Sequence, residues 1–321
     1  MSKSLKKTLK IVLPIAFGVF LVWYSYNETT AEDRAQIIHY IKNADLFWVS
    51  ISIIIGILSH ISRAVRWNYM LKPLGHSPQV TNNVLMILIA YLANLGIPRS
   101  GEFLRATALT TYEEVPFEKG FGTIVTERVI DLIMLFLIII VALLMQTSAI
   151  IAFLNEKGVN LAGAALILLV GIVGLWLSIK FLRKSNSGWA LKLKVFLKGL
   201  LEGVMSVFKM KKKWPFIFHT VFIWSAYVGM FWVIKYTVPE TIGLSLGELL
   251  VAFIAGAFAM STTNGGIGLY PIAVSSALGI YGISSVSGDA FGWIMWIAQT
   301  LMVVVFGAIS FVLLPLLNRG R

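Results

Sequence analysis

The chain has no cysteine, which excludes disulfides, thiolate metal sites and a palmitoyl anchor. Charge is scarce too. Asp, Glu, Lys and Arg make up 13% of the 321 residues, about half the ~25% usual in soluble domains. Acids are the scarcer sign, 15 against 27 Lys and Arg, giving a net charge of +12. Segments outside the apolar runs are too short to build a core, so no soluble domain is expected. The four histidines, His39, His60, His76 and His219, have no metal-site spacing. No metal or cofactor is expected. The sequence also lacks a P-loop, a Gly-x-Ser-x-Gly elbow and a zincin helix. An acidic loop such as a lipid-linked sugar transferase would use is not evident.

What the chain has in abundance is apolar residues: 58% of the total, with a mean hydropathy of +0.83. Several runs reach or approach the ~20 residues that span a bilayer, which predicts an all-α polytopic membrane protein. The basic residues gather at run ends and in one connector, as the positive-inside rule requires. That distribution argues for membrane lipids rather than nucleic acid as partner. Lys3, Lys6, Lys7 and Lys10 precede the first run, 9–26. They give it the charge pattern of a signal peptide, but the run is long and its best cleavage site, Thr29-Thr30-Ala31, is poorly formed. It reads as a retained first helix starting in the cytoplasm.

Charge also fixes the parity of the remaining runs. Loop 27–45 carries four acids and sits outside; the helix at 46–71 returns inward to Arg63, Arg66 and Lys72. Residues 180–213 hold ten Lys/Arg against Glu202 alone, so this connector is cytoplasmic. Helix 161–182 must then come inward and helix 120–146 must go outward. The run at 80–97 therefore starts and ends on the cytoplasmic side, breaking at 94–101 and returning through 102–114. By the same logic, helix 215–237 goes outward and helix 289–316 comes inward to Arg319 and Arg321. Residues 247–283 form a second broken hairpin from the outer side, folded at 261–271.

The expected architecture is one transmembrane domain, 1–321, with about six spanning helices and two oppositely oriented re-entrant hairpins. Its halves, 46–146 and 215–316, form an inverted repeat like that of many secondary transporters. Both termini are cytoplasmic, in a cell (inner) membrane. The connector 183–213 places Leu193, Leu197, Leu200, Val204 and Phe208 on one helical face. It reads either as a basic amphipathic helix on the inner leaflet or as a solvated linker.

Ionisable residues at membrane depth are costly and default to functional candidates. Here they form three groups: Arg99, Glu102 and Arg105 in the first hairpin, Glu127, Arg128 and Asp131 on the next helix, and His60, Arg63 and Arg66 on the helix before. Arg63 and Arg66 either snorkel to lipid phosphates or take part in a site. Glu127 and Asp131, at i and i+4, either pair internally with arginines or balance a bound headgroup. In the first hairpin the turn puts Arg99 deepest. The half-helix beginning near Ser100 aims its free amides into the break, which favours an anion. Arginine forks with helix amides suit a phosphate.

The second break offers Asn264, backbone exposed at Gly265, Gly266 and Gly268, and the Tyr270 hydroxyl. It reads as an uncharged gate or as a close-packing device.

Four stretches in order resemble the lysylphosphatidylglycerol synthase transmembrane family, also called flippase-like or UPF0104 proteins. Pro98-Arg99-Ser100-Gly101-Glu102-Phe103-Leu104-Arg105 is similar to its P-x-x-G-E-x-x-R signature, and Glu127-Arg128-Val129-Ile130-Asp131 to its E-R-x-x-D signature. Arg63-Ala64-Val65-Arg66-Trp67 and Gly265-Gly266-Ile267-Gly268 resemble its arginine-rich helix end and its late glycine motif. In the full-length synthases such a region is implicated in moving aminoacylated lipid to the outer leaflet, while a soluble domain performs the aminoacyl transfer. This chain's last apolar run ends close to Arg321, so a transmembrane region without the synthase domain, and without lysyl transfer, is expected. A separate lipid-modifying synthase is the protein partner that the resemblance implies. The chain departs from the family where Asn264 and Tyr270-Pro271 stand in place of a Pro before the glycines and a Glu after them.

The function expected is lipid translocation or binding. Arg99, Arg105, Arg63 and Arg66 would hold an anionic or aminoacylated headgroup, and Glu102, Glu127 and Asp131 would balance them. The alternatives are a membrane-embedded transferase using Glu102 and Asp131 as bases, and a non-transporting partner subunit.

Overall fold

The computed structural model describes residues 3–156 and 210–319, with scattered positions between; the side chains of 3–15 and 154 lie outside the description. Every regular element among the described residues is helical. In chain order they are α1 (Lys3–Glu28), α2 (Ala31–Lys42), α3 (Leu46–Leu71), α4 (Val80–Gly96), α5 (Ser100–Glu113) and α6 (Phe117–Met145). Then come α7 (Thr147–Glu156), α8 (Lys213–Ile234), α9 (Leu246–Thr262), α10 (Leu269–Gly279) and α11 (Ser285–Leu317). Among these, α3, α6, α8 and α11 are long and apolar enough to cross a membrane, whereas α4, α9 and α10 are apolar but short. The run at 161–182 and most of the connector 183–213 lie outside the described residues.

Segment 27–45 is not the plain loop expected. The Thr30 side chain accepts from the Asp33 amide at 3.1 Å, and Glu32 and Asp33 sit in the first turn. An N-cap and acids at the positive end of the helix dipole are what start α2. Ile37 then anchors it in the core.

Contacts at helix ends fix how the long and short helices are arranged. At one end, the Asn83 amide donates to Asn68 Oδ1 at 2.7 Å, and Asn82 Nδ2 reaches Glu113 Oε1 and Asn318 Oδ1. The start of α4 thus meets the finishes of α3, α5 and α11. At the other end, Trp48 stacks on Tyr236 with centroids 4.5 Å apart, and Glu240 Oε2 accepts from the Ser284 amide and hydroxyl. Gly247 lies against Gln146 there, so α9 starts where α6 finishes.

The hairpins α4–α5 and α9–α10 therefore enter from opposite ends, and their tips meet. Asn264 Nδ2 donates to the Leu95 and Gly96 carbonyls at 2.8 and 3.1 Å, satisfying two acceptors that the end of α4 leaves open. Each hairpin leans on the last long helix of the other half, α4 on α11 and α9 on α6, while α3 and α8 pack together.

The breaks themselves follow from residue chemistry. In the first, the Ser100 hydroxyl bonds the Ala93 or Ile97 carbonyl, and the Gly101 amide donates to Asn94 Oδ1 at 2.8 Å. Arg99 makes the turn at φ 63°, a conformation costing about 1–2 kcal/mol for an L-residue. Gly101 sits where α5 crosses α4, and a Cβ there would fall 2.1 Å from the Ala90 carbonyl oxygen. Gly101→Ala is expected to destabilise the protein by about 1–3 kcal/mol through forced separation of the two half-helices. Thermal unfolding in detergent checks this, and an unchanged midpoint would refute the close crossing.

In the second break, Gly265, Gly266 and Gly268 all have positive φ. Trp296 Nε1 holds the Gly265 carbonyl at 2.8 Å, and Gly268 admits the backbone of α1 at Gly18.

Candidate functional site

The sequence spacing places Arg63 and Arg66 one turn apart on α3, Glu127 and Asp131 one turn apart on α6, and Arg105 one turn after Gly101 on α5. The fold brings all five together. Arg63 Nη1 donates to Glu127 Oε1 at 2.8 Å and Asp131 Oδ2 at 2.7 Å. Arg66 Nη2 reaches the same two carboxylates at 2.7 and 3.1 Å. Arg105 Nη1 takes Glu127 Oε2 at 2.7 Å, and its guanidinium lies 3.7 Å over the Trp67 ring. Glu127 is fully buried and serves three arginines.

Arg128 and Glu102 form the accessible margin of the cluster. The Arg128 side chain is 45% exposed and stands 3.8 Å from both Glu102 and Asp131. Four guanidiniums face three carboxylates in this group, leaving one positive charge unmatched. A buried ion cluster is weak support for stability, since apolar residues of the same volume often do as well. The unmatched charge lies on the accessible side, at Arg128.

A cavity of about 480 Å³ opens from this cluster into the second half of the molecule. Arg63, Arg128 and Asp131 form one wall, with Tyr91 and Tyr227, and the remainder is mostly apolar side chains of α6, α8, α9 and α11. Arg63 Nη2 also donates to the Tyr227 hydroxyl at 3.1 Å, which stands 3.4 Å from that of Tyr91. Leu132 and Met260 line the cavity and are 52% and 44% exposed, so it is open beside the apolar helices α6 and α9. A second cavity, of about 30 Å³, lies between Asn94, Glu102, Arg105 and Arg128. It has room for one water, and Arg105 Nη2 has no hydrogen-bond partner among the described residues.

Several expected site residues sit elsewhere. Arg99 is exposed at the hairpin tip and makes no ion pair among the described residues. The first amides of α5 are not open to an anion, because Ser100 N is taken by Ile97 O and Gly101 N by Asn94 Oδ1. Arg66 and Arg105 support the cluster from behind and do not reach the large cavity. Asn264 is 3% exposed and holds the tips together, so it faces the first hairpin rather than the cavity. Gly265, Gly266 and Gly268 serve the turn and the approach of α1. Tyr270 does line the cavity. Nothing in the sequence marked Tyr91, Trp224, Tyr227 and Gln299, which three different helices, α4, α8 and α11, deliver to one space. Among the described residues no group of three His, Cys, Asp or Glu forms a metal site.

The family model described as the lysylphosphatidylglycerol synthase TM region matches residues 11–307. The UPF0104 membrane protein MJ1595 of Methanocaldococcus jannaschii is 29% identical over 132 residues, which is 40% of this chain and 37% of that protein. Glycosyltransferase AglD of Haloferax volcanii is 28% identical over 102 residues, 32% of this chain and 16% of that protein. The matched segments thus span well under two thirds of either relative's own length. No solved structure matches the chain. The family match takes in both hairpins, the whole arginine–carboxylate cluster and all of the large cavity's wall, and the chain belongs to the lysylphosphatidylglycerol synthase TM region family.

Proposed function

We propose that this protein holds an anionic or aminoacylated phospholipid with its headgroup at Arg63 and Arg128, and passes it between leaflets in flippase-like fashion. One observation carries the reading: a mostly apolar cavity with surplus positive charge at one wall, open beside Leu132 and Met260 on two apolar helices. Such a space matches an amphiphile, with phosphate on the guanidiniums and acyl chains leaving through the side. Hairpins that enter from opposite ends and touch at their tips supply two gates around one site, as alternating access requires. The distribution of basic residues supports cytoplasmic termini in a cell (inner) membrane. Movement would be facilitated or ion-coupled, and a separate lipid-modifying synthase would supply an aminoacylated substrate.

The transferase reading gains support from the relative named as a glycosyltransferase. Against it, Glu127 and Asp131 are fully engaged by arginines, which leaves Glu102 alone as a candidate base.

The test is headgroup-labelled phospholipid in liposomes carrying the purified protein, with a membrane-impermeant quencher reporting the outer leaflet. Protein-dependent movement is expected, and Leu132→Trp/Met260→Trp, which fills the side opening, is expected to slow it about tenfold or more. No movement with anionic or aminoacylated lipid, or full movement in the filled variant, would overturn the reading.

A further inference from the structure

Three carboxylates stand among the arginines of the cluster, and they are not held alike. Glu127 and Asp131 each accept from two or more guanidiniums at 2.7 to 3.1 Å. Glu102 has no such partner among the described residues. Its ion-pair neighbour, Arg128 Nε, stands 3.8 Å away, and its hydrogen bond comes from Asn94 Nδ2 at 3.4 Å. The Glu102 side chain is 22% exposed, against 0% for Glu127 and 12% for Asp131. A proton on Glu127 or Asp131 would break a buried ion pair, which is costly. On Glu102 it breaks none.

Helix α5 packs between α4 and α6, and both contribute to the surroundings of Glu102. The titratable and charged groups facing it across the small cavity are Tyr91 on α4, Arg105 on its own helix and Arg128 on α6, with the neutral Asn94. Asp131 lies on the far side of Arg128, at 3.8 Å. Arg105 is committed to Glu127 at 2.7 Å, so Arg128 is the cation on which the Glu102 charge depends. Arg128 also lines the large cavity. It is shared between Glu102 and an anion at that cavity's cationic wall.

The sharing links the two. An anion that draws the Arg128 guanidinium to itself leaves the Glu102 carboxylate with Asn94 alone, and a charge so placed at membrane depth is costly. A proton on Glu102 removes that cost. Conversely, a protonated Glu102 releases Arg128 to the anion. Each therefore favours the other by the same factor, as linkage requires. The small cavity has room for one water beside Glu102, which gives the proton a donor. Asn94 also accepts from the Gly101 amide at 2.8 Å, so the charge on Glu102 bears on the turn of the first hairpin.

We infer that Glu102 is a coupling proton site. One of its carboxylate oxygens takes a proton from water as Arg128 turns to an anionic ligand, and returns it to water when the anion leaves. One proton thus binds with each anion. This inference rests on the anion-binding reading above and adds the proton as its coupling ion.

The experiment is equilibrium binding of labelled phosphatidylglycerol to the full chain in nanodiscs of zwitterionic lipid, from about pH 8 down to about pH 5.5. Histidines also titrate in that window, so the variants decide the assignment. Wild-type affinity is expected to rise about tenfold or more across it, within the limit of about tenfold per pH unit for one linked proton. Glu102→Gln keeps an acceptor for Asn94 and stands in for the protonated acid. It is expected to bind with the wild-type acid-side affinity at every pH. Glu102→Asp keeps a titrating group and is expected to retain the pH dependence. A slope that persists in Glu102→Gln overturns the inference and moves the proton to another group, such as His60 on the large cavity's wall. A wild-type affinity that does not change with pH overturns it as well. In both cases the anion-binding reading stands. If wild type binds no anionic lipid at any pH, that reading falls and this inference falls with it.

Discussion

Glu127→Ala is expected to destabilise the protein by about 3–5 kcal/mol, the cost of removing one partner from a buried ion pair. The geometry argues for the upper part of that range. Glu127 is completely buried and receives Arg63 and Arg66 on one oxygen and Arg105 on the other. Asp131 would still serve Arg63 and Arg66, but Arg105 has no second carboxylate among the described ion pairs and would remain charged at 3% exposure. Its stacking on Trp67 offsets only a part of that, since a cation over an aromatic ring is worth about 2 kcal/mol when desolvated. Glu127→Gln keeps the shape and an acceptor and should lose less. Thermal unfolding of purified variants in detergent measures both. An alanine variant within about 1 kcal/mol of wild type, a margin typical of exposed pairs, would show that the cluster is hydrated rather than buried.

Arg128→Glu is expected to lower affinity for an anionic phospholipid about 100-fold, or ~2.7 kcal/mol, with far less effect on folding. Arg128 is the half-exposed guanidinium of the group, and its two carboxylate neighbours stand at 3.8 Å, longer than any buried pair. Little structural energy therefore depends on it. Its charge, however, completes the surplus that faces the cavity. Reversing it places a carboxylate beside Glu102 and Asp131 and turns that wall negative, so a phosphate loses a charge-assisted bond and meets repulsion. Zwitterionic phospholipid should be affected less. Equilibrium binding to nanodiscs, run beside thermal unfolding, separates the two effects. Unchanged anionic-lipid affinity in a folded variant would move the headgroup site away from α6.

These two residues also show how the sequence divided the problem. Glu127 and Arg128 are neighbours in one signature, and the sequence identified both as charges at membrane depth. Whether either pairs or binds could not be read there. That depends on which side of α6 faces α3, and one position along a helix turns a side chain by about 100°. Position 127 turns into the bundle and position 128 toward the cavity.

Composition and charge by themselves determined the class of protein and the two broken hairpins. Apolar run length is set by bilayer thickness, and glycine and proline interrupt helices through local backbone chemistry. The bounds show it: breaks expected at 94–101 and 261–271 lie between α4 and α5 and between α9 and α10. The charge-based parity also required hairpins entering from opposite sides, an arrangement that the end-to-end contacts share. α2 escaped notice because acids outside a membrane suggest loop, while its Thr30 cap is a local signal that a parity argument does not weigh.

Only the tertiary structure decided what the site is made of. Arg99, deepest by sequence position, is left exposed at the tip, and the amides expected to greet an anion are taken by Asn94 and Ile97. Asn264 turned from a gate residue into a cap on α4. The cavity needed residues of α3, α4, α6, α8, α9, α10 and α11 at once. Local rules of spacing and propensity carry no information about which distant faces meet, because that is settled by close packing of side chains across the whole bundle.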